Sequence, residues 1–260
     1  GRGIVETLSN FGNAGMLPSH PELLDWLARK FIDEGWSLKQ LHRLMMASAA
    51  YQQVSSIRGD AEQRDPENRL LWRMPLKRME AEVVRDSILA VSGRLDQTPF
   101  GPPDPVTVRE DGLVTSRSGE HGWRRSLYVQ HRRKHMPTIL ETFDLPQMIP
   151  NCVQRPDSTV ASQALHLMND TMIRTLSTSF AERVIGEAGH EPYRQIEHAY
   201  QLALNRQPTD EEKTLGQTAL TKLTAHWKAN PDDDKTPAAT RALATYCHTL
   251  INSAAFLFID

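Results

Sequence analysis

Apolar residues recur at helical spacing along most of this chain and at strand spacing in one short stretch. Leu23, Trp26, Leu27 and Phe31 fall three or four residues apart, which puts them on one face of a helix. Ser19-His20-Pro21-Glu22 precedes them as a capping box. In such a box Ser19 accepts an unpaired backbone N–H and Glu22 reaches back, while Pro21 sits where its missing N–H costs nothing. Gly35 is the natural stop. Ser37-Leu38-Lys39-Gln40 opens a second helix with Leu38, Leu41, Leu44 and Met45 on one side, and the short connection predicts an αα-hairpin. Residues 59–68 are polar and read as loop; Pro75 then precedes a helix over 76–92 that Gly93 closes.

From Arg94 to Gly122 the periodicity is lost among FGPPDP, EDG and SRSGEHG, a length of loop that usually carries function or motion. Ser126-Leu127-Tyr128-Val129-Gln130 alternates and holds good strand formers, so it reads as a strand paired with 106–108 or 113–114. On that alternation Leu127 and Val129 face the core with Arg125 at the edge, whereas Arg124, Tyr128 and Arg132 form an outward stripe. Helical spacing returns after the FDLP turn. Asp157 or Ser158 caps a helix carrying Val160, Ala164, Leu165 and Met168, and Asn169-Asp170 re-caps a second helix to Ile185. Pro192, the box Thr209-Asp210-Glu211-Glu212 and Pro237 open three more. The predicted class is mainly α: a multi-helix, bundle-like domain with a small β element set in a long Pro/Gly-rich loop. The chain reads as a single module, 1–260, with N-terminal helices over 1–93, a loop and strand insertion over 94–158, and C-terminal helices over 159–260.

Composition narrows the function classes. A hydrophobic fraction of 39% suits a folded protein with a sizeable core. A net charge of −2 argues against a general polyanion binder and hence against nucleic acid as a partner. No run of about 18 apolar residues is present, so no membrane span is expected. Two cysteines, Cys152 and Cys247, are too few for a disulfide scaffold and read as separate buried thiols.

Chemical candidates concentrate between Trp123 and Asn169. His131 and His135 have ligand spacing, but Arg132, Arg133 and Lys134 between them repel a cation, so no metal is expected. The cluster of Arg124, Arg125, Arg132, Arg133 and Lys134, with Trp123 and Tyr128 interleaved, suits carboxylates or sulfates, or a single-stranded nucleic acid. It equally suits internal pairing with Glu80, Glu82 or Asp86, the favoured reading in an acidic chain. Ser158 and Thr159 stand where capping alone explains them. Cys152 is followed by Arg155, which would lower a thiol pKa, yet no histidine is fixed beside it. Arg78, Glu82, Arg85 and Asp86 are spaced as ion pairs on a solvated helix face. Asp144, held between Phe143 and Pro146, needs a cationic partner, expected from the RRSLY segment. No complete catalytic set emerges. The candidates are Asp144, Cys152 and Arg155 for chemistry, and Arg124, Tyr128 and Arg132 for a ligand such as an extracellular polymer or a partner protein.

Taken together, GRGIVETLSNFGNAGMLPSHPELLDWLA, GWSLKQLHRLMMASAAYQQ, DPENRLLWRMPLKRMEAEVVRDSILAVSGRLD, RRSLY, FDLPQMIPNC, STVASQALHLMN, LALNRQPTDEE and CHTLINSAAFLFID resemble the planctomycete domain-of-unknown-function family 1553. The chain departs from that family at Ser162, where proline is common. The resemblance implies a C-terminal module of an exported, periplasmic protein, often behind a cytochrome-c-like domain, and a chain truncated at its N-terminus, which here lacks Met. It also implies that haem belongs to a separate domain, that this chain holds no cofactor, and that its partners are other domains of the same polypeptide. Assembly, docking or substrate presentation is the role expected. The alternative is an enzyme acting on an anionic or carbohydrate substrate with Asp144, Arg124, Arg125 and Arg155 around the FDLP block.

Overall fold

Helix punctuation sets where each element stops, and the computed structural model describes it for residues 3–147, 152–155, 157–230 and 235–259. The chain divides into two compact units, residues 1–77 with 259–260, and residues 78–258. Eleven α-helices and a few two- or three-residue strands make it mainly α among the described residues.

The first unit contains α1 (Pro21–Asp33), α2 (Leu38–Met46) and α3 (Gly59–Arg64). Helix α1 ends in a Schellman turn: Gly35 N–H bonds Ile32 O, and Trp36 N–H bonds Phe31 O. Gly35 adopts φ +71°, and the Phe31 and Trp36 rings meet edge-to-face at 5.2 Å across the turn. Ser37 caps α2 by accepting from Gln40 N–H. The first capping box does not form. Ser19 Oγ instead donates to Ile4 O, and His20 occupies the cap position. The segment expected as loop holds α3, closed by Asp65, whose carboxylate accepts from the Arg69 and Leu70 amides. Neither α1 nor α2 contains a buried residue.

The second unit carries the core. Its elements are α4 (Ala81–Val91), β2 (Leu95–Asp96), β3 (Val106–Val108), β4 (Val114–Ser116), β5 (Trp123–Arg124) and α5 (Thr138–Thr142). Then follow α6 (Ala161–Asn169), α7 (Thr171–Ala188), α8 (Pro192–Leu204), α9 (Asp210–Ala229), α10 (Ala238–Ile251) and α11 (Ala254–Leu257). The two-residue strands β1 (Lys77–Arg78) and β6 (Phe258–Ile259) lie where the chain passes between units. Helix α10 packs on α7 and α9, and the core joins Val84, Ile88, Phe143, Phe180, Ile196, Leu243 and Ile251. Asp170 caps α7 by accepting from Met172 and Ile173 amides, and Thr209 with Glu212 forms a complete box on α9. Gly93, at φ +70°, closes α4 in another Schellman turn with Arg94 N–H on Leu89 O.

The β element differs from the sequence expectation. Strands β3 and β4 pair antiparallel with each other, while β5 pairs parallel with β2. Ser126–Tyr128 is a 3₁₀ turn, not a strand, and Leu127 is 77% exposed rather than inward, although Val129 is buried. The reason is the Asp86 carboxylate, which accepts both the Ser126 amide at 2.8 Å and its hydroxyl at 2.7 Å and so takes the donor a strand would have used. Both cysteines are free; Cys247 is buried as expected and its pKa is pushed up by burial, but Cys152 is exposed.

Two predictions follow from the helix contacts. A Cβ on Gly216 of α9 would lie 2.8 Å from Tyr246 Oη and 3.0 Å from Ile196 Cδ1. Alanine gains about 1 kcal/mol in helix propensity, but overpacking typically costs about 1–3 kcal/mol, so Gly216→Ala is expected to lower the urea midpoint. Glu212 takes a bidentate ion pair from Arg206 at 2.7 and 2.8 Å and the Thr209 amide at 2.8 Å. The Arg206 bond, helped by Thr209, lowers its pKa from 4.5 to about 2. A carboxylate depressed in the folded state stabilises above its unfolded pKa and loses that contribution as pH falls toward the folded one. Acid denaturation followed from pH 5 to pH 2 should therefore be shallower in Glu212→Gln than in the parent.

Candidate functional site

The FDLP turn is a helix end with a carboxylate built into it. Helix α5 closes as a Schellman turn, with Asp144 N–H on Glu141 O at 3.2 Å and Leu145 N–H on Leu140 O at 2.9 Å. Asp144 occupies the left-handed position, φ +65°, where glycine is usual. Phe143 beside it is buried, and Pro146 follows where the helix cannot continue. This backbone places the carboxylate on Arg78, whose Nη2 donates at 2.7 Å and whose side chain is only 4% exposed.

The rest of the Arg78 guanidinium is also committed. Its Nε donates to Ser158 O at 3.0 Å, Nη1 to Met79 O at 2.9 Å and Nη2 to Phe143 O at 3.3 Å, over the Phe143 ring at 5.2 Å. Ser158 returns its amide to Asp144 Oδ2 at 2.9 Å and its hydroxyl at 2.7 Å. Gln163 of α6 donates to Thr142 O and Ser158 O, joining the ends of α5 and α6. Burial pushes the Asp144 carboxyl upward, but the Ser158 bonds and Arg78 outweigh it, and its pKa lies below the ordinary value. The partner is thus Arg78, not an arginine of RRSLY, and Ser158 serves the carboxylate instead of capping α6.

A second network fastens the long loop to α4. Arg85, fully buried, donates to Ser116 Oγ at 2.8 Å, Arg124 O at 3.0 Å, Ser126 Oγ and Asp86 at 3.2 Å. Burial pulls its pKa down, and Asp86 opposes that pull. Arg78 and Arg85 therefore do not lie on a solvated face as their spacing suggested. The signal was present, since Arg85 shares an apolar stripe with Ala81, Ile88 and Ser92.

The remaining sequence candidates are placed separately. Arg124 pairs with Asp104 through Nε at 2.8 Å, donates to Phe100 O at 2.6 Å and lies over the Tyr128 ring at 5.0 Å. Its side chain is 12% exposed, so with Tyr128 it closes the loop on itself rather than lining an open stripe. Arg132 approaches Gln130 Oε1 at 3.0 Å once that amide is oriented to satisfy both groups. Arg125, expected to pair internally, is exposed and stands 3.8 Å from Asp86. Arg155 forms a bidentate pair with Glu82 at 2.7 and 3.0 Å and reaches Glu80 at 3.3 Å. Burial raises the Glu82 pKa, but Arg155 outweighs it and the net shift is downward. Cys152 donates to Gln154 O at 3.1 Å. Among the described residues no three His, Cys, Asp or Glu side chains gather as metal ligands would.

The fold and this network define a mainly α protein whose irregular segment is pinned by buried arginines. The chain matches the family described as PSD1, Protein of unknown function (DUF1553), over residues 1–220 and belongs to that family. The closing block CHTLINSAAFLFID lies beyond the matched residues. No curated protein and no solved structure matches the chain.

Arg78 Nε also stands 3.3 Å from Asp157 Oδ1. Removing the Asp144 carboxylate therefore leaves the buried guanidinium one anionic partner, and the cost falls toward the lower end of the about 3–5 kcal/mol typical of a broken buried pair. Asp144→Ala is expected to lose that much in urea denaturation, with Asp144→Gly less damaged because glycine accepts φ +65° without strain. Full stability in Asp144→Ala would show that Asp157 alone suffices as the counter-charge of Arg78.

Proposed function

We propose that this chain is a docking and assembly module of a larger exported protein, with other domains of the same polypeptide as its partner. The observation that carries this reading is the apolar surface of the first unit. Phe11 is 75% exposed, Leu17 89% and Trp36 67%, and Trp26, Leu38 and Met46 are also exposed. Soluble monomers rarely leave so many large apolar side chains in one small unit uncovered, and Trp and Met are enriched where proteins meet. The resemblance to family members that carry a cytochrome-c-like domain supplies the exported, periplasmic setting and a haem-bearing neighbour. On this reading the haem stays in that domain and this chain contributes surface. No helix among the described residues is long and apolar enough to cross a membrane.

The enzyme alternative has less support. It needs Asp144, Arg124, Arg125 and Arg155 around one substrate group, whereas Asp144 is bonded to Arg78, Arg124 to Asp104 and Arg155 to Glu82. A general acid or base works best with a pKa near the operating pH, and the Asp144 carboxyl is shifted the other way.

Amide hydrogen exchange of α1 and α2, compared between this chain and the full-length protein, tests the proposal. Protection of both helices by roughly tenfold or more in the full-length protein is expected, because docking removes local opening. Equal exchange in the two would overturn it.

A further inference from the structure

The basic cluster that opens after Trp123 divides in two. Its first half is taken up internally, with Arg124 on Asp104 and Arg125 3.8 Å from Asp86. Its second half is not. His135 N–H bonds Arg132 O at 3.1 Å, which closes a β-turn with Arg133 and Lys134 at its corner. Arg132, Arg133 and Lys134 are all exposed. Arg132 meets the Gln130 amide, a neutral partner that leaves its charge uncompensated. Arg133 and Lys134 have no hydrogen-bond or ion-pair partner among the described residues.

Helix α4 relates this turn to Arg125. Burial raises the Glu82 carboxyl pKa, and Arg155 outweighs it with a smaller contribution from His131, so the head of the turn lies within electrostatic reach of Glu82. Asp86, one helical turn further along, faces Arg125, whose side chain is 60% exposed. The acids along this edge are already engaged. Arg155 takes Glu80 and Glu82, and Asp86 is shared between Arg85 and Arg125. None of these carboxylates is left for Arg132, Arg133 or Lys134, so the turn carries net positive charge. A lone exposed cation is ordinarily just solvated, but uncompensated charges of one sign on adjacent residues raise the local potential and steer an oppositely charged partner.

The surroundings of the turn narrow the chemistry of that partner. Guanidinium forks suit planar carboxylates. Single-stranded nucleic acid needs aromatic platforms for its bases, whereas Arg124 covers the Tyr128 ring at 5.0 Å and Trp123 packs on the core. A chain charged at every unit draws its affinity from many contacts along a basic track, whereas this patch is one turn long and ends at the Glu80, Glu82 and Asp86 edge. We propose that the turn Arg132–His135, with Arg125 beside it, docks a short acidic segment of a protein partner. This surface belongs to the second unit and needs nothing from the apolar surface of the first.

The test is a peptide with a run of aspartates and glutamates, titrated into the ¹⁵N-labelled chain. The same peptide with Asn and Gln in their place is the neutral control, and charge-matched oligothymidylate and heparin oligosaccharide are the rival polyanions. The acidic peptide is expected to bind saturably, shifting the amide resonances of residues 131–135 and weakening as salt is raised. The neutral peptide should not bind. The double variant Arg133→Gln with Lys134→Gln should keep its thermal midpoint, because both side chains are exposed and unpaired. It should bind the acidic peptide roughly fivefold or more weakly, the scale of two exposed ion pairs. Absence of saturation, equal binding of the neutral peptide, unchanged affinity in the double variant, or tighter binding of either polyanion would overturn the proposal.

Discussion

A buried guanidinium has five N–H donors and a charge that cannot be neutralised at ordinary pH, so whatever surrounds it must supply acceptors. This protein buries two within eight residues, Arg78 and Arg85, and much of the irregular segment that follows is arranged to serve them. Arg78 gathers the end of α5 and the approach to α6 through Phe143 O, Asp144 and Ser158 O. Arg85 gathers β4, β5 and the 3₁₀ turn through Ser116, Arg124 O and Ser126. Replacing a buried ion pair by well-packed hydrophobic residues is often neutral or stabilising, so stability alone does not account for these arginines. What the arginines add is direction: donors in a fixed fork constrain the loop oxygens they meet, even though Arg85 Nε itself is left without an acceptor.

That constraint explains where the local patterns fail. The apolar spacing over 76–92 is helical, yet α4 begins only at Ala81, because extended backbone before it lets Arg78 reach Asp144. The alternation in SLYVQ is that of a strand, yet Asp86 captures both donors of Ser126 and turns the segment into 3₁₀ geometry. In each case a side chain carrying charge outcompetes a backbone preference worth at most about 1 kcal/mol per residue.

Most of the helical architecture was legible in the residues, for a local reason. Gly35, Gly93, Asp170, Thr209 with Glu212, and the prolines at 21, 192 and 237 act within one turn of their own helix, so a linear reading finds them. The candidate site was legible only in part. The need of Asp144 for a cation follows from its turn, but its partner lies 66 residues upstream and nothing local names it. Of the acids sought as internal partners of the basic cluster, Asp86 stands 3.8 Å from Arg125, whereas Glu82 is taken by Arg155, 73 residues away and outside that cluster.

The pairing of charge inside the second unit also bears on how this protein meets others. Arg124 and Arg155, the residues that would have given an anionic polymer its footing, spend their donors on Asp104, Glu82 and loop carbonyls. An ion pair already formed offers a newcomer little, because binding it means breaking bonds of equal strength. The first unit presents large apolar side chains at its surface. Association there would draw on water release from Phe11, Leu17, Trp26 and Trp36, a force that is non-directional and nearly indifferent to salt. Specificity would then have to come from shape, and the Schellman turn that sets Phe31 against Trp36 gives that surface one fixed edge.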